Sequence, residues 1–155
     1  IDKMVDLRRG MVDEGMVPQS LQKPLKALEK RGNPYGKMEK KRAEWANDKE
    51  FKTNWQIKDL SKDKADTLYF VDSITSYDDN IQEIARRTSI ILHKAGVDFG
   101  ILGKLEKDSG NEVLRFGEEM LYQDLKAQNT EAILETGVKQ IVTADPHAYN
   151  ALKND

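Results

Sequence analysis

Asp72, Asp108, Asp145 and His147 carry the most chemistry in this chain, each sitting in a short polar stretch just after an apolar run. Three carboxylates and an imidazole are hard oxygen and nitrogen donors, a set that suits a divalent cation. Each also has a plainer reading. Asp145 stands directly before Pro146, where its carboxylate can accept from the free N–H groups of a helix that starts at the proline. Asp108 reads as a turn or cap residue ahead of Gly110, and His147 as a partly buried helix-start residue bonded to backbone.

Other reactive groups are less suggestive. Ser73 has no Gly-x-Ser-x-Gly elbow around it, and neither a phosphate-cradling glycine loop nor a dinucleotide fingerprint occurs. His93 falls late in a helical pattern, where the C-terminal dipole favours an imidazole, and reads as structural. Tyr69, Phe70 and Phe99 read as core. The chain has no cysteine, which excludes disulfides, thiolate metal sites, a covalent cysteine intermediate and cysteine-ligated clusters.

The elements that must position these residues follow from periodicity. Met4, Leu7, Met11 and Val12 recur at helical spacing and stop at Gly15, and Leu21, Leu25 and Leu28 do so again before Gly32. The turn-rich Gly32-Asn-Pro-Tyr-Gly36 precedes a basic run, 37–45, that predicts a return to helix. Residues 46–66 show no sustained period and read as a surface connector pinned by Trp45 and Trp55. Strands are expected over 67–71, 97–102 and 139–143. Between them lie a helix over 78–95 with Ile81, Ile84, Ile91 and Leu92 inward, a helix over 110–128 bearing Val113, Leu114, Met120, Leu121 and Leu125, and a short helix over 130–136. A last helix starts at Pro146. Strand–helix alternation predicts an α/β fold: a small parallel sheet with flanking helices, Rossmann-like and three-layered, preceded by a helical N-terminal arm. The division expected is an arm and connector over 1–66 and an α/β unit over 67–155. The loops 72–78, 103–110 and 144–147 should then gather at the edge where open α/β folds bind ligands.

A length of 155 residues and a hydrophobic fraction of 38% fit one domain with extensions, and a net charge of −2 suggests no nucleic-acid partner. Residues 1–66 carry 16 Lys/Arg against 12 Asp/Glu, and 67–155 carry 9 against 15, so the two segments differ in role. The basic excess reads as a solvated helical surface. No apolar run approaches the roughly 20 residues of a spanning helix, so a cytoplasmic protein without a membrane span is expected. The first residue is Ile, within an amphipathic pattern, which suggests a piece of a longer polypeptide.

Four stretches carry a family likeness: Tyr69-Phe-Val-Asp-Ser73, Gly96-Val-Asp-Phe-Gly-Ile-Leu-Gly103, Glu106-Lys-Asp-Ser-Gly-Asn-Glu-Val113 and Thr143-Ala-Asp-Pro-His-Ala-Tyr-Asn150. They resemble the cysteine-rich (CCG-type) domain of the heterodisulfide reductase and glycolate oxidase iron–sulfur subunit family. Asp6-Leu-Arg-Arg and Gly32-Asn-Pro-Tyr-Gly36 resemble the segment that joins it to an upstream ferredoxin-like domain. The resemblance implies cluster-ligand loops at Ser73 (or Asp72), at Asp108, Ser109 and Gly110, and at Asp145 through Ala148, with the cysteines replaced. It implies an iron–sulfur cofactor in the family and none in this chain. The partners it implies are other oxidoreductase subunits, an adjoining ferredoxin-like domain and a flavoprotein, with any membrane association made through those subunits. The reading is a redox-silent fragment or variant of an electron-transfer subunit. The alternatives are a non-catalytic scaffold module, or a divalent-metal site at Asp72, Asp108, Asp145 and His147.

Overall fold

A computed structural model describes residues 2–155. It opens with helices α1 (Asp2–Asp13) and α2 (Gln19–Arg31), and α2 stops at Gly32, whose left-handed φ of 63° lets its N–H return to the Leu28 carbonyl. Residues 37–45, expected as helix, instead make two 3-10 turns, Glu39–Lys41 and Glu44–Asn47. Arg42 closes the first turn and Trp45 lies in the second, and both are buried.

Residues 46–66, expected as a connector, hold helix α3 (Lys49–Asn54) and a strand, β1 (Lys58–Asp59). The strand is two residues long and polar, too short to leave a period. Its place depends on Gly100 opposite: a Cβ there would sit 2.7 Å from the Leu60 side chain and 2.8 Å from the Lys58 carbonyl.

Beyond it come β2 (Thr67–Tyr69), α4 (Ser73–Tyr77), α5 (Gln82–Lys94), β3 (Phe99–Ile101), α6 (Asn111–Phe116), α7 (Glu119–Thr136), β4 (Gln140–Val142) and α8 (Pro146–Asn154). The sheet runs β1-β3-β2-β4 with every pairing parallel, the arrangement that strand–helix alternation requires. Strand alternation sorts the core. Tyr69, Val71, Phe99 and Ile101 meet Trp45, Phe51 and Ala85 on one face, while Leu68, Phe70 and Leu102 meet Leu60, Ala132 and Ala148 on the other. Each large apolar side chain so enclosed contributes about 1.5–3 kcal/mol. A third cluster joins Leu28 of α2 to Val113, Tyr122 and Leu125 of α6 and α7, which fastens α2 to these helices.

Two helical stripes differ from expectation. In α5 the buried residues are Ala85 and Ser89, whereas Ile84 and Ile91 are exposed. The helix begins four residues later than its pattern suggested, and the small side chains are the ones that let its axis approach the aromatic face of the sheet. The long helical stretch breaks at Gly117 rather than near residue 129, and α7 runs unbroken through Thr130, with Met120 exposed. Gly117 has φ +102°, and a Cβ on it would lie 2.6 Å from the Arg9 backbone nitrogen, so the break is also where α1 docks. Among the described residues no helix is long and apolar enough to cross a membrane.

Candidate functional site: a cleft at the carboxyl edge of the sheet

The turns that follow β2, β3 and β4 converge on one edge, and α2 and α6 complete a cleft of about 1070 Å³ there. Asp72, Ser73, Asp108, Asp145 and His147 all line it. Ser109 and Gly110 lie beneath the rim, and Ala148 is fully buried in the core below the sheet. The expected ligand positions therefore share one edge, but only part of them faces the cleft.

Each turn has a local cause. Asp72 is the only non-glycine with positive φ among the described residues, at φ 62° and ψ 177°, a region that essentially only glycine occupies. Its Oδ1 accepts from Ser73 N at 2.7 Å and from Ser109 N at 3.1 Å, which stitches the β2 turn to the β3 turn. Asp108 is a turn residue, its Oδ1 accepting from Gly110 N at 2.9 Å. Asp108 N donates to the Gly32 carbonyl and its own carbonyl accepts from Asn129 Nδ2 at 3.0 Å, so α2 and α7 both hold the loop. Asp145 caps α8, its Oδ1 accepting from His147 N at 2.7 Å and Ala148 N at 3.1 Å. His147 is exposed, and its Nδ1 contacts the Glu112 carboxylate rather than a backbone group, because capping by Asp145 already satisfies the helix start. His93 Nε2 donates to the Gln56 carbonyl at 2.8 Å and the ring lies edge-on to Phe99, a structural placement.

Beneath the cleft lies a buried ion pair. Arg42 and Glu106 side chains are 3% and 1% exposed, with Nη1 to Oε1 at 2.9 Å. Arg42 Nη2 also donates to the Gly32 carbonyl at 3.0 Å and to Ser73 Oγ at 3.2 Å. Glu106 accepts from Val71 N at 3.1 Å and Asp72 N at 2.9 Å. One guanidinium and one carboxylate thus bind the end of α2, the β2 turn and the approach to Asp108 into one unit. Burial pushes the Glu106 carboxyl up, and Arg42 with the two amides offsets part of that rise. Asp72 and Asp108 shift in the same direction. Burial, and for Asp72 then the Asp108 charge, pushes both carboxyls above the usual range despite the nearby Ser and Arg donors.

Arg42, Glu106 and Asn129 were not singled out from sequence. Glu106 stands inside one of the family-like stretches and Arg42 inside a basic run, and nothing in composition pairs two residues 64 apart. Among the described residues no three His, Asp or Glu side chains come close enough together to hold a metal ion. The side chains at the ligand positions that the resemblance implies are two hydroxyls, two carboxylates and a methyl, with Gly110 bare, and none of them meets the thiolate preference of an iron–sulfur cluster.

No family model matches the chain, and no solved structure matches it. Curated proteins do. The chain is 41% identical over 159 residues to the probable iron-sulfur-binding oxidoreductase FadF of Bacillus subtilis, a match covering 100% of the chain and 22% of that protein. It is 33% identical over 156 residues to the EtfAB:quinone oxidoreductase of Syntrophomonas wolfei, covering 100% of the chain and 22% of that protein. It is 30% identical over 154 residues to a subunit of the dihydromethanophenazine:CoB–CoM heterodisulfide reductase of Methanosarcina mazei, covering 96% of the chain and 35% of that protein. The chain thus spans between about a fifth and about a third of the length of these relatives. Whole-chain similarity of this kind, with four stretches in order at one sheet edge, places the chain in the family of iron–sulfur oxidoreductase subunits to which FadF and this heterodisulfide reductase component belong, as a member without cysteines.

Proposed function

We propose that this chain is the cysteine-rich-domain counterpart of an iron–sulfur electron-transfer subunit, keeping the fold and the partner-facing arm while carrying no cluster of its own. The observation that carries the reading is the chemistry at the ligand positions: Ser73, Asp108 and Asp145 line the cleft at the sheet edge, Ala148 lies buried in the first turn of α8, and none offers a soft sulfur donor. By itself the chain is redox-silent and works in the cytoplasm beside other oxidoreductase subunits, an adjoining ferredoxin-like domain or a flavoprotein. The names of its relatives, an oxidoreductase of EtfAB and quinone among them, support partners of that class.

The test is an absorbance spectrum with iron and sulfide assays on anaerobically purified protein. A featureless visible spectrum is expected, and a stoichiometric cluster would overturn the reading. The ligand assignment has its own check: the combined Ser73→Cys, Asp108→Cys, Asp145→Cys, Ala148→Cys variant, reconstituted with iron and sulfide, gains a visible chromophore if these turns are the ligand loops.

A scaffold role is the second reading, favoured by Met4, Leu7 and Met11, which form an exposed apolar stripe along α1. A divalent-metal role for Asp72, Asp108, Asp145 and His147 has their shared cleft in its favour and the lack, among the described residues, of three ligands close enough together against it. Under that reading magnesium, manganese or zinc raises the melting temperature and Asp108→Asn abolishes the rise.

A further inference from the structure

Two of the turns at the sheet edge carry the same dipeptide, Asp72-Ser73 after β2 and Asp108-Ser109 after β3, and the two engage each other. All four residues are buried, so water competes little for their polar atoms. Asp72 Oδ1 accepts from Ser109 N at 3.1 Å, and the Ser109 hydroxyl lies against the same carboxyl. In the other direction the Ser73 hydroxyl lies against the Asp108 carboxyl, while its oxygen accepts from Arg42 Nη2 at 3.2 Å. Each carboxyl also fastens its own turn, Asp72 Oδ1 through Ser73 N at 2.7 Å and Asp108 Oδ1 through Gly110 N at 2.9 Å. A carboxyl keeps an accepting oxygen whether or not it holds a proton, so these backbone bonds persist in both states. The turn after β4 closes on itself, with Asp145 capping α8.

These are turns to which the family resemblance assigns cluster ligands, and their side chains do not suit a cluster. A metal centre held by residues from several turns fixes those turns to one another, and a fold that depends on it is lost when the metal is removed. We propose that the reciprocal Asp-Ser clasp supplies that tie in this chain, so that the cleft edge forms without iron and stays formed in the presence of chelators or oxygen. The proposal rests on the reading that the chain holds no cluster. The backbone at Asp72 points the same way. Its φ of 62° and ψ of 177° belong to glycine, and glycine would adopt them without strain. An aspartate at such a position is explained by what its carboxylate reaches, which is the amide of the neighbouring turn. Glu106, accepting from Asp72 N at 2.9 Å, helps to hold the strained residue in place.

The test is amide hydrogen exchange on the full chain, purified with and without a metal chelator. Protection at Ser73, Ser109 and Gly110 should be the same in both preparations. Asp72→Gly keeps the backbone geometry and deletes the carboxylate, so Ser109 N on the other turn should exchange at least about tenfold faster while the β4 amides are unchanged. Should that variant fail to fold, Ser73→Ala deletes a single hydroxyl and should quicken exchange at Gly110, the amide held by Asp108, by at least about threefold. Unchanged exchange at Ser109 in the first variant, or at Gly110 in the second, would overturn the clasp, and protection lost on chelation would overturn its independence of iron. A stoichiometric cluster in the untreated protein strikes at the redox-silent reading instead, and the exchange measured in chelator then decides the clasp separately.

Discussion

Replacing Arg42 by Met should be among the most damaging single changes in this protein. The pair it breaks is enclosed, at 3% and 1% exposure, so solvent screening gives no relief, and Glu106 is left as an uncompensated charge in the interior. Breaking such a pair costs about 3–5 kcal/mol. Met fills the aliphatic volume of the Arg stem but abandons the Gly32 carbonyl and Ser73 Oγ. Glu106→Gln should cost at least as much. It strands Arg42, and the single amide carbonyl must serve both Val71 N and Asp72 N, so one buried N–H loses its acceptor at about 1–3 kcal/mol. Against a domain stability of about 5–15 kcal/mol, either change removes a large fraction. With about 2–4 °C lost per kcal/mol in a chain of this size, Arg42→Met should lower the melting temperature by about 6–20 °C. Urea unfolding followed by far-ultraviolet circular dichroism measures the two singles and the Arg42→Met/Glu106→Gln double. The double should be less damaging than the sum by about 1–3 kcal/mol, since each single leaves a charge that the other removes. Singles costing under about 1 kcal/mol, or strict additivity, would refute the claim that this pair holds the three segments together.

Two further changes probe the same edge. Asp72 and Asp108 have native pKa values raised above their ordinary 3.8, so the folded state binds more protons than the unfolded one in that window. Their stabilising contribution is complete below about pH 3.8 and is lost as the pH rises through the raised native values; urea midpoints should show this fall, and Asp108→Asn should flatten it. Asp72→Gly and Asp72→Ala both delete the same carboxylate, but only Gly suits φ 62° and ψ 177°, so the Gly variant should be the more stable by about 1–3 kcal/mol. Equal midpoints for the two would mean that the backbone there is unstrained.

Much of this protein is legible in its residues because the deciding interactions are local. The two central strands, β2 and β3, come from β-branched and aromatic runs whose alternate side chains need two covered faces, and that need forces helices onto both sides of a parallel sheet. Asp145 before Pro146 specifies its own cap, and Gly32 its own helix stop, within a few residues. Hence the arrival of residues 72–73, 108 and 145–147 at a common edge follows from topology alone. Other features needed the folded chain because their partners are far apart in sequence. The two-residue β1 exists only because Gly100 leaves room beside it, and the outward turn of Ile84 and Ile91 is set by how closely Ala85 and Ser89 can approach the sheet. Arg42 and Glu106 look in sequence like two more charges on a charged surface. Only packing makes them an ion pair, because their value to the fold arises from desolvation, and desolvation is a property of what surrounds a residue in space rather than along the chain.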